Sequence, residues 1–123
     1  MDRSYLSDPD VAAASRNFIC VRLVTYEDIA EMADFGAHIE QSACLYVDSR
    51  FNVFSPEELK EHIQAAGVAH SSIGSDLGQV DNPTPVEGMR QAIKLCLALG
   101  FSEDEVRLMV RDNPARLVGL EIE

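Results

Sequence analysis

Three apolar runs of strand length, each leading into a segment with helical signals, limit the folds open to this 123-residue chain. The runs are FICVRLV (residues 18–24), AHIEQSACLYV (37–47) and AHSSIGS (69–75). Apolar and β-branched residues concentrated over such lengths read as strands. After the first run Thr25 offers an N-cap with Asp28 three residues on, and Ile29, Met32 and Phe35 recur at helical spacing. Gly36 is placed to close that helix as its C′ residue. After the second run Ser55-Pro56-Glu57-Glu58 is a strong helix start: serine caps, proline fits the first turn, and Glu58 completes a capping box. Leu59, Ile63 and Ala66 supply the apolar face of this helix and Gly67 stops it. The turn-rich GQVDNPTP follows the third run and leads into a helix from about Val86 to Leu99. It carries Met89, Ile93, Cys96 and Leu97 on one face and ends at Gly100. Ser102 and Glu105 form a second capping box for a helix over Glu103 to Arg111. Asn113-Pro114 is expected to break that helix before a short last one near Ala115 to Val118. Residues 1–17 read as a polar lead with a short helix over Pro9 to Arg16.

Strands alternating with helices are the mark of α/β units around a parallel sheet. One α/β domain over residues 1–123 is therefore expected, with about three parallel strands alternating with helices and extra helices at the carboxyl terminus. Its charge narrows the partners. Twenty-one acidic residues against ten basic ones leave a formal net charge of −11, which argues against nucleic acid and against an anionic membrane surface. A cation is the more natural companion, although a charged surface that keeps the protein soluble accounts for the same composition. No apolar run approaches the roughly 18 residues of a membrane span, and MDRSYLSDPD lacks the basic and apolar segments of a secretory signal, so a cytoplasmic protein is expected. Cys20, Cys44 and Cys96 each sit in an apolar stretch without a CxxC pair, and read as small buried hydrophobes in a reducing compartment.

Functional side chains of α/β proteins cluster where strands end and loops begin. The third run ends in Gly74-Ser75-Asp76-Leu77-Gly78-Gln79. A carboxylate between small residues at a strand's carboxyl end is well placed to meet a metal ion or a bound water. An Asx turn, with Asp76 capping its own loop, reads equally well. His38 and Glu40 are two residues apart in the second run and so would share a face of its strand. Together they could hold a metal or position a water, or they could be a buried pair satisfied by neighbouring hydrogen bonds. His70 falls at the amino end of the third strand, and His62, among charged neighbours on a capped helix, reads as solvated surface.

The stretch SSIGSDLGQVDNPTPVEGMRQAIKLCLALGFSEDEVRLMVRDNPARLVGL resembles the end of the barrel of the amidohydrolase superfamily, in particular an amidohydrolase-like group with an SDLGQ-type strand end. GFSEDEV, opening a helix, and the terminal NPARLVGL fit the same pattern. The likeness runs over roughly residues 28–120, with residues 1–27 as an atypical lead or junction; the segment from Ser4 to Asp28 has a thioredoxin-like look without a redox pair. The resemblance implies a partial (β/α) barrel, the carboxyl-terminal portion of a TIM barrel. It implies metal-dependent hydrolysis, in which zinc or manganese activates a water against an amide or ester-type bond of a small molecule. Asp76 would then be the catalytic aspartate, as metal ligand or proton acceptor, and His38 and Glu40 further candidate ligands. Gln79 and Asn82, in the loop after the strand, would contact substrate, although Asp81 and Asn82 also suit a turn before Pro83. The chain departs from the family in having no His-x-His pair and three histidines in all. Three arrangements fit that departure: a fragment whose remaining barrel lies elsewhere, a self-standing domain without catalysis that serves as a structural or interaction module, or two copies associating over their exposed sheet edges.

Overall fold

The computed structural model describes residues 26–122. The lead, the first apolar run with Cys20, and the expected helix over Pro9 to Arg16 lie outside the described residues. Helix α1, Tyr26–Asp34, closes as expected on Gly36, whose φ of 86° lets Gly36 N–H reach the Ala33 carbonyl at 2.8 Å and Ala37 N–H reach Met32 at 3.0 Å. Strand β1, Ile39–Ser42, follows, then a 3-10 turn at Ala43–Leu45. Helix α2, Pro56–Ala66, begins on the expected Ser55/Glu58 capping box and buries Leu59, Ile63 and Ala66. A second 3-10 turn, Val68–His70, leads into strand β2, Ser71–Gly74. Helix α3, Pro85–Ala98, is capped by Thr84. The carboxyl-terminal arm is helix α4, Glu103–Arg107, a wide π-type turn at Leu108–Asp112, and helix α5, Asn113–Leu117.

The two strands run parallel with Ile39 opposite Ser71 and Ser42 opposite Gly74, so β1–α2–β2 is a single crossover unit. This corrects the expected three-stranded partial barrel. Among the described residues 56% are helical and 8% are strand, and the sheet has two strands: a small α/β fold rather than a barrel segment. The second apolar run contributes only four residues to the sheet. Beyond Ser42, Ala43, Cys44, Tyr46 and Val47 are all buried, and a strand, whose side chains alternate between faces, would send half of such a run away from this core. The chain turns instead, with Tyr46 and Val47 N–H both reaching the Ala43 carbonyl. The third run likewise enters the sheet only at Ser71, after the turn at Val68–His70.

One core cluster joins Ala43, Tyr46 and Val47 to Leu59 and Ile63 of α2, Ile73 of β2, Ala92 and Cys96 of α3, and Val106 and Met109 of the arm. A smaller one joins Ile29, Ile39 and Ala66, so α2 serves both. The buried stripe of α3 is Gly88, Ala92 and Cys96, with Leu97 41% exposed, so the face is turned from the one its apolar spacing suggested. Asn113-Pro114 does not break the arm. Proline has no N–H to donate to residue 110 and its ring crowds that carbonyl; the widened turn over Leu108–Asp112 relieves both, and Pro114 falls in the first turn of α5. Asn113, 3% exposed, donates from Nδ2 to the Val68 carbonyl at 2.9 Å and to the Ser71 carbonyl at 2.6 Å.

Removing the Asn113 amide takes one donor from each of two carbonyls at the start of β2 and leaves that of Val68 with Ser71 N–H. Asn113→Ala is expected to cost about 2–4 kcal/mol of stability, with Asn113→Asp no better because a carboxylate only accepts. Urea denaturation checks this; a midpoint unchanged in both variants contradicts the clamp. The capping boxes carry a pH dependence. The carboxyls of Glu58 and Glu105 are held below their ordinary value by the backbone N–H and then the hydroxyl of Ser55 and Ser102. A folded-state pKa below the unfolded one gives stability that is complete above the ordinary glutamate range and is lost as pH falls through the lowered value. The denaturation-midpoint gap between wild type and Glu105→Ala should therefore close on acidification from about pH 6 to about pH 3.

Candidate functional site

Asp76 stands just past the carboxyl end of β2, exposed, with its backbone in the left-handed region at φ 47°. Few non-glycine residues adopt that conformation, and aspartate is among those that tolerate it. Parallel pairing continues one step beyond the strands, through Cys44 N–H to the Ser75 carbonyl at 3.1 Å, and so draws the turn after β1 alongside Asp76. The Cys44 thiol faces Asp76 Oδ2 at 3.8 Å. Burial pushes the thiol's pKa up, and the Asp76 charge and hydrogen bond push it further, so Cys44 keeps its proton. Cys96 behaves similarly, pushed up to about 11 by burial. Both fit the reading of buried, inert thiols. Asp76 does not cap its own loop. The Ser75 hydroxyl receives Leu77 N–H at 3.5 Å, and the Asp76 carbonyl receives Gln79 Nε2 at 3.1 Å.

Gln79 and Asn82, read as substrate contacts, are built into the loop. Asn82 Nδ2 donates to Gln79 Oε1 at 3.3 Å, and Asn82 Oδ1 receives Arg50 N–H at 3.0 Å. The Arg50 guanidinium reaches the Val80 carbonyl at 3.5 Å and lies 5.1 Å from the centre of the Phe51 ring. A polar chain from Arg50 through Asn82 and Gln79 therefore ends on the backbone of Asp76. Leu77 anchors the same loop in the core by packing where a Cβ at Gly88 would sit.

His38 lies outside β1 and Glu40 within it, opposite Ser72. His38 precedes β1, beside His70 at the amino end. Its Nε2 is enclosed without a hydrogen-bond partner, and burial, then the charge of His70, lowers its pKa. Glu40 is exposed on β1 and its carboxylate lies over Gly74, nearer Asp76. Among the described residues no group of three or more His, Cys, Asp or Glu side chains gathers to hold a metal ion. With Cys44 protonated and His38 at the far end, these residues do not by themselves fit a zinc or manganese centre.

A second polar cluster had no advance signal beyond a tyrosine in an apolar run. The buried Tyr46 hydroxyl donates to Gln41 Oε1 at 3.0 Å and meets His62 Nδ1 at 2.8 Å, with the Nδ1–H tautomer completing the pair. Burial, then the Glu58 charge, raises the Tyr46 pKa, so the phenol stays protonated. Phe54 stacks on Tyr46 at 5.4 Å and meets the edge of His62 at 5.2 Å. His62 is thus half-buried between aromatic rings, not solvated surface. Gln41 Nε2 remains enclosed without a partner.

Among the described residues no helix is long and apolar enough to cross a membrane. No protein-family model, curated protein or solved structure matches the chain.

Docking of Leu77 on Gly88 gives a test of how firmly the Asp76 loop is held. Helix propensity alone favours Gly88→Ala by about 1 kcal/mol. The collision with Leu77 is expected to outweigh it, for a net loss of about 1–2 kcal/mol. At Gly74 a methyl meets only the flexible end of Glu40, so Gly74→Ala should shift stability by less than about 1 kcal/mol. Denaturation of the two variants side by side reads the difference, and a stabilised Gly88→Ala rules the docking out.

Proposed function

We propose that this chain carries part of an amidohydrolase-like hydrolytic site, acting on an amide or ester-type bond of a small molecule, with Asp76 as the proton acceptor. One observation supports the reading most: an exposed carboxylate, held in a left-handed turn just past the carboxyl end of a parallel strand. That is where α/β enzymes carry their working groups. The SDLGQ strand end points the same way. In the step, a water oxygen bonds to the carbonyl carbon while its proton passes to Asp76. The proton then moves to the leaving nitrogen or oxygen as the bond to the carbonyl carbon breaks. Residues 26–122 do not by themselves supply the ligands of a zinc or manganese ion. A cytoplasmic setting belongs to the same reading.

A second reading, an interaction module, is favoured by Val53, Val80 and Val86. These are 68%, 80% and 61% exposed on the loops beyond the strands and the start of α3. An association of two copies over sheet edges is its simplest form. Mass in solution separates the readings, since a clean monomer without activity-linked partners counts against the module.

The test of the first reading is Asp76→Asn, assayed on a panel of chromogenic esters and anilides. Hydrolysis is expected to fall by about 100-fold or more, the range lost with a general base, while the melting temperature stays near that of wild type. Equal rates in the two proteins would falsify the assignment.

A further inference from the structure

We infer that His38, with His70 beside it, is an acid-sensitive latch for helix α1: neutral, it lets the helix close on the amino end of the sheet, and protonated, it releases the helix. The latch is independent of Asp76 and of any hydrolysis there. His38 and His70 immediately precede Ile39 and Ser71, which pair across the sheet. The His38 Nε2 is enclosed and has no hydrogen-bond partner among the described residues. A neutral imidazole leaves one polar atom unsatisfied there, whereas an imidazolium would also place a charge away from water. Among the described residues the ion pairs are those of Arg90, Arg107 and Arg111, so none compensates that charge. The elements packed around His38 are α1, α2 and the turn at Val68–His70. They carry Asp28, Glu31 and Asp34, then Glu57, Glu58, Lys60, Glu61 and His62, and His70, while Glu40 shares the strand. The charge that acts on His38 is that of His70, and it disfavours the protonated ring, as burial already does.

Helix α1 reaches the rest of the described residues through a cluster of its own. Ile29 packs with Ile39 and Ala66, with Met32, Ala33, Ala37 and Ala65 around them, and none of these belongs to the larger core. His38 stands between Ala37 and Ile39, so a ring that moves to water to take a proton pulls on both. The larger core, from Tyr46 to Met109, does not share those side chains, and α1 can therefore open as a unit while the core persists. The sign follows from linkage. In the closed state the His38 pKa lies below its ordinary value of 6.5, and the open state returns the ring to water and to that value. Between the two values the open state binds more protons. Closure is thus complete above the ordinary value and weakens as pH falls below it. Histidine is the side chain whose ordinary titration range makes such a response available near neutral pH.

The experiment follows backbone amide hydrogen exchange of the full chain at about pH 7.5 and about pH 5.5, on either side of the histidine range. Each rate is expressed as protection relative to a free peptide at the same pH, in wild type, His38→Leu and His70→Gln. In wild type the protection of residues 28–34 is expected to fall by about threefold or more at the lower pH, while that of α3 holds. His38→Leu should keep α1 equally protected at both pH values, and His70→Gln should soften the fall by removing the second charge. Should His38→Leu fail to fold, the carbon-bound ring protons of wild-type His38 give a second reading, in which the ring titrates together with the loss of α1 protection. Four results overturn the inference: α1 protection that is flat with pH in wild type, a fall shared equally by α3, an equal fall in His38→Leu, or a His38 ring that takes its proton while α1 stays closed.

Discussion

The amide of Asn113 is the interaction on which the arrangement of the described residues turns. It has two N–H bonds to give, and gives them to the carbonyls of Val68 and Ser71, on either side of the entry to β2. The first lies in the 3-10 turn, where it also accepts Ser71 N–H, and the second belongs to the first residue of the strand. A buried carbonyl without a donor is costly, so the contact both needs and specifies a donor at that point. The carboxyl-terminal arm is thereby brought across β2, with Met109 fully buried beneath it and Val106 beside it. The wide turn at Leu108–Asp112 follows from the same requirement. It lets Pro114 stand next to Asn113 without interrupting the arm that carries both.

With β2 fixed at its amino end, its carboxyl end becomes a defined place. Parallel pairing carries the turn after β1 to the same level, and Cys44, Ser75 and Asp76 meet there. The loop beyond is held from below by Leu77 on Gly88 and from the side by Arg50 through Asn82 and Gln79. A carboxylate at that position is exposed to solvent and restrained in its backbone. The amino end is different in kind. His38 lies there within reach of the charge of His70, with an enclosed nitrogen and a pKa lowered by burial, so it stays neutral near pH 7. The histidine and the aspartate that the sequence suggested as partners are therefore separated by the length of the strand.

Local chemistry was legible. The capping boxes at Ser55/Glu58 and Ser102/Glu105, the closing glycines Gly36, Gly67 and Gly100, and the buried face of α2 depend on groups within one or two turns of each other. Lengths and faces were less so. The run Ala37–Val47 is apolar enough for a strand throughout, yet only Ile39–Ser42 joins one, because its later residues all turn toward the same core. The stripe of α3 is centred on Gly88, Ala92 and Cys96 because Leu77 demands a small residue there, a requirement set by a residue eleven positions away. Among the site residues, the strand-end position of Asp76 was readable from SDLGQ, whereas the structural use of Gln79 and Asn82 depends on Arg50, about thirty residues earlier.

The sequence by itself determined the capping-box starts at Ser55 and Ser102 and the glycine turns at Gly36, Gly67 and Gly100, that strand alternates with helix across β1, α2 and β2, and that an acidic residue follows the last strand. Caps, glycine turns and apolar periodicity act between near neighbours, so composition and spacing suffice for them. Only the tertiary structure decided how many residues enter the sheet, that His38 and Asp76 part company, that His62 lies between Tyr46 and Phe54, and that Asn113 clamps β2 instead of ending a helix. Each of these depends on a donor, a ring or a side-chain volume supplied from a distant part of the chain, and hydrogen bonding and close packing settle such contacts only once both partners are in place.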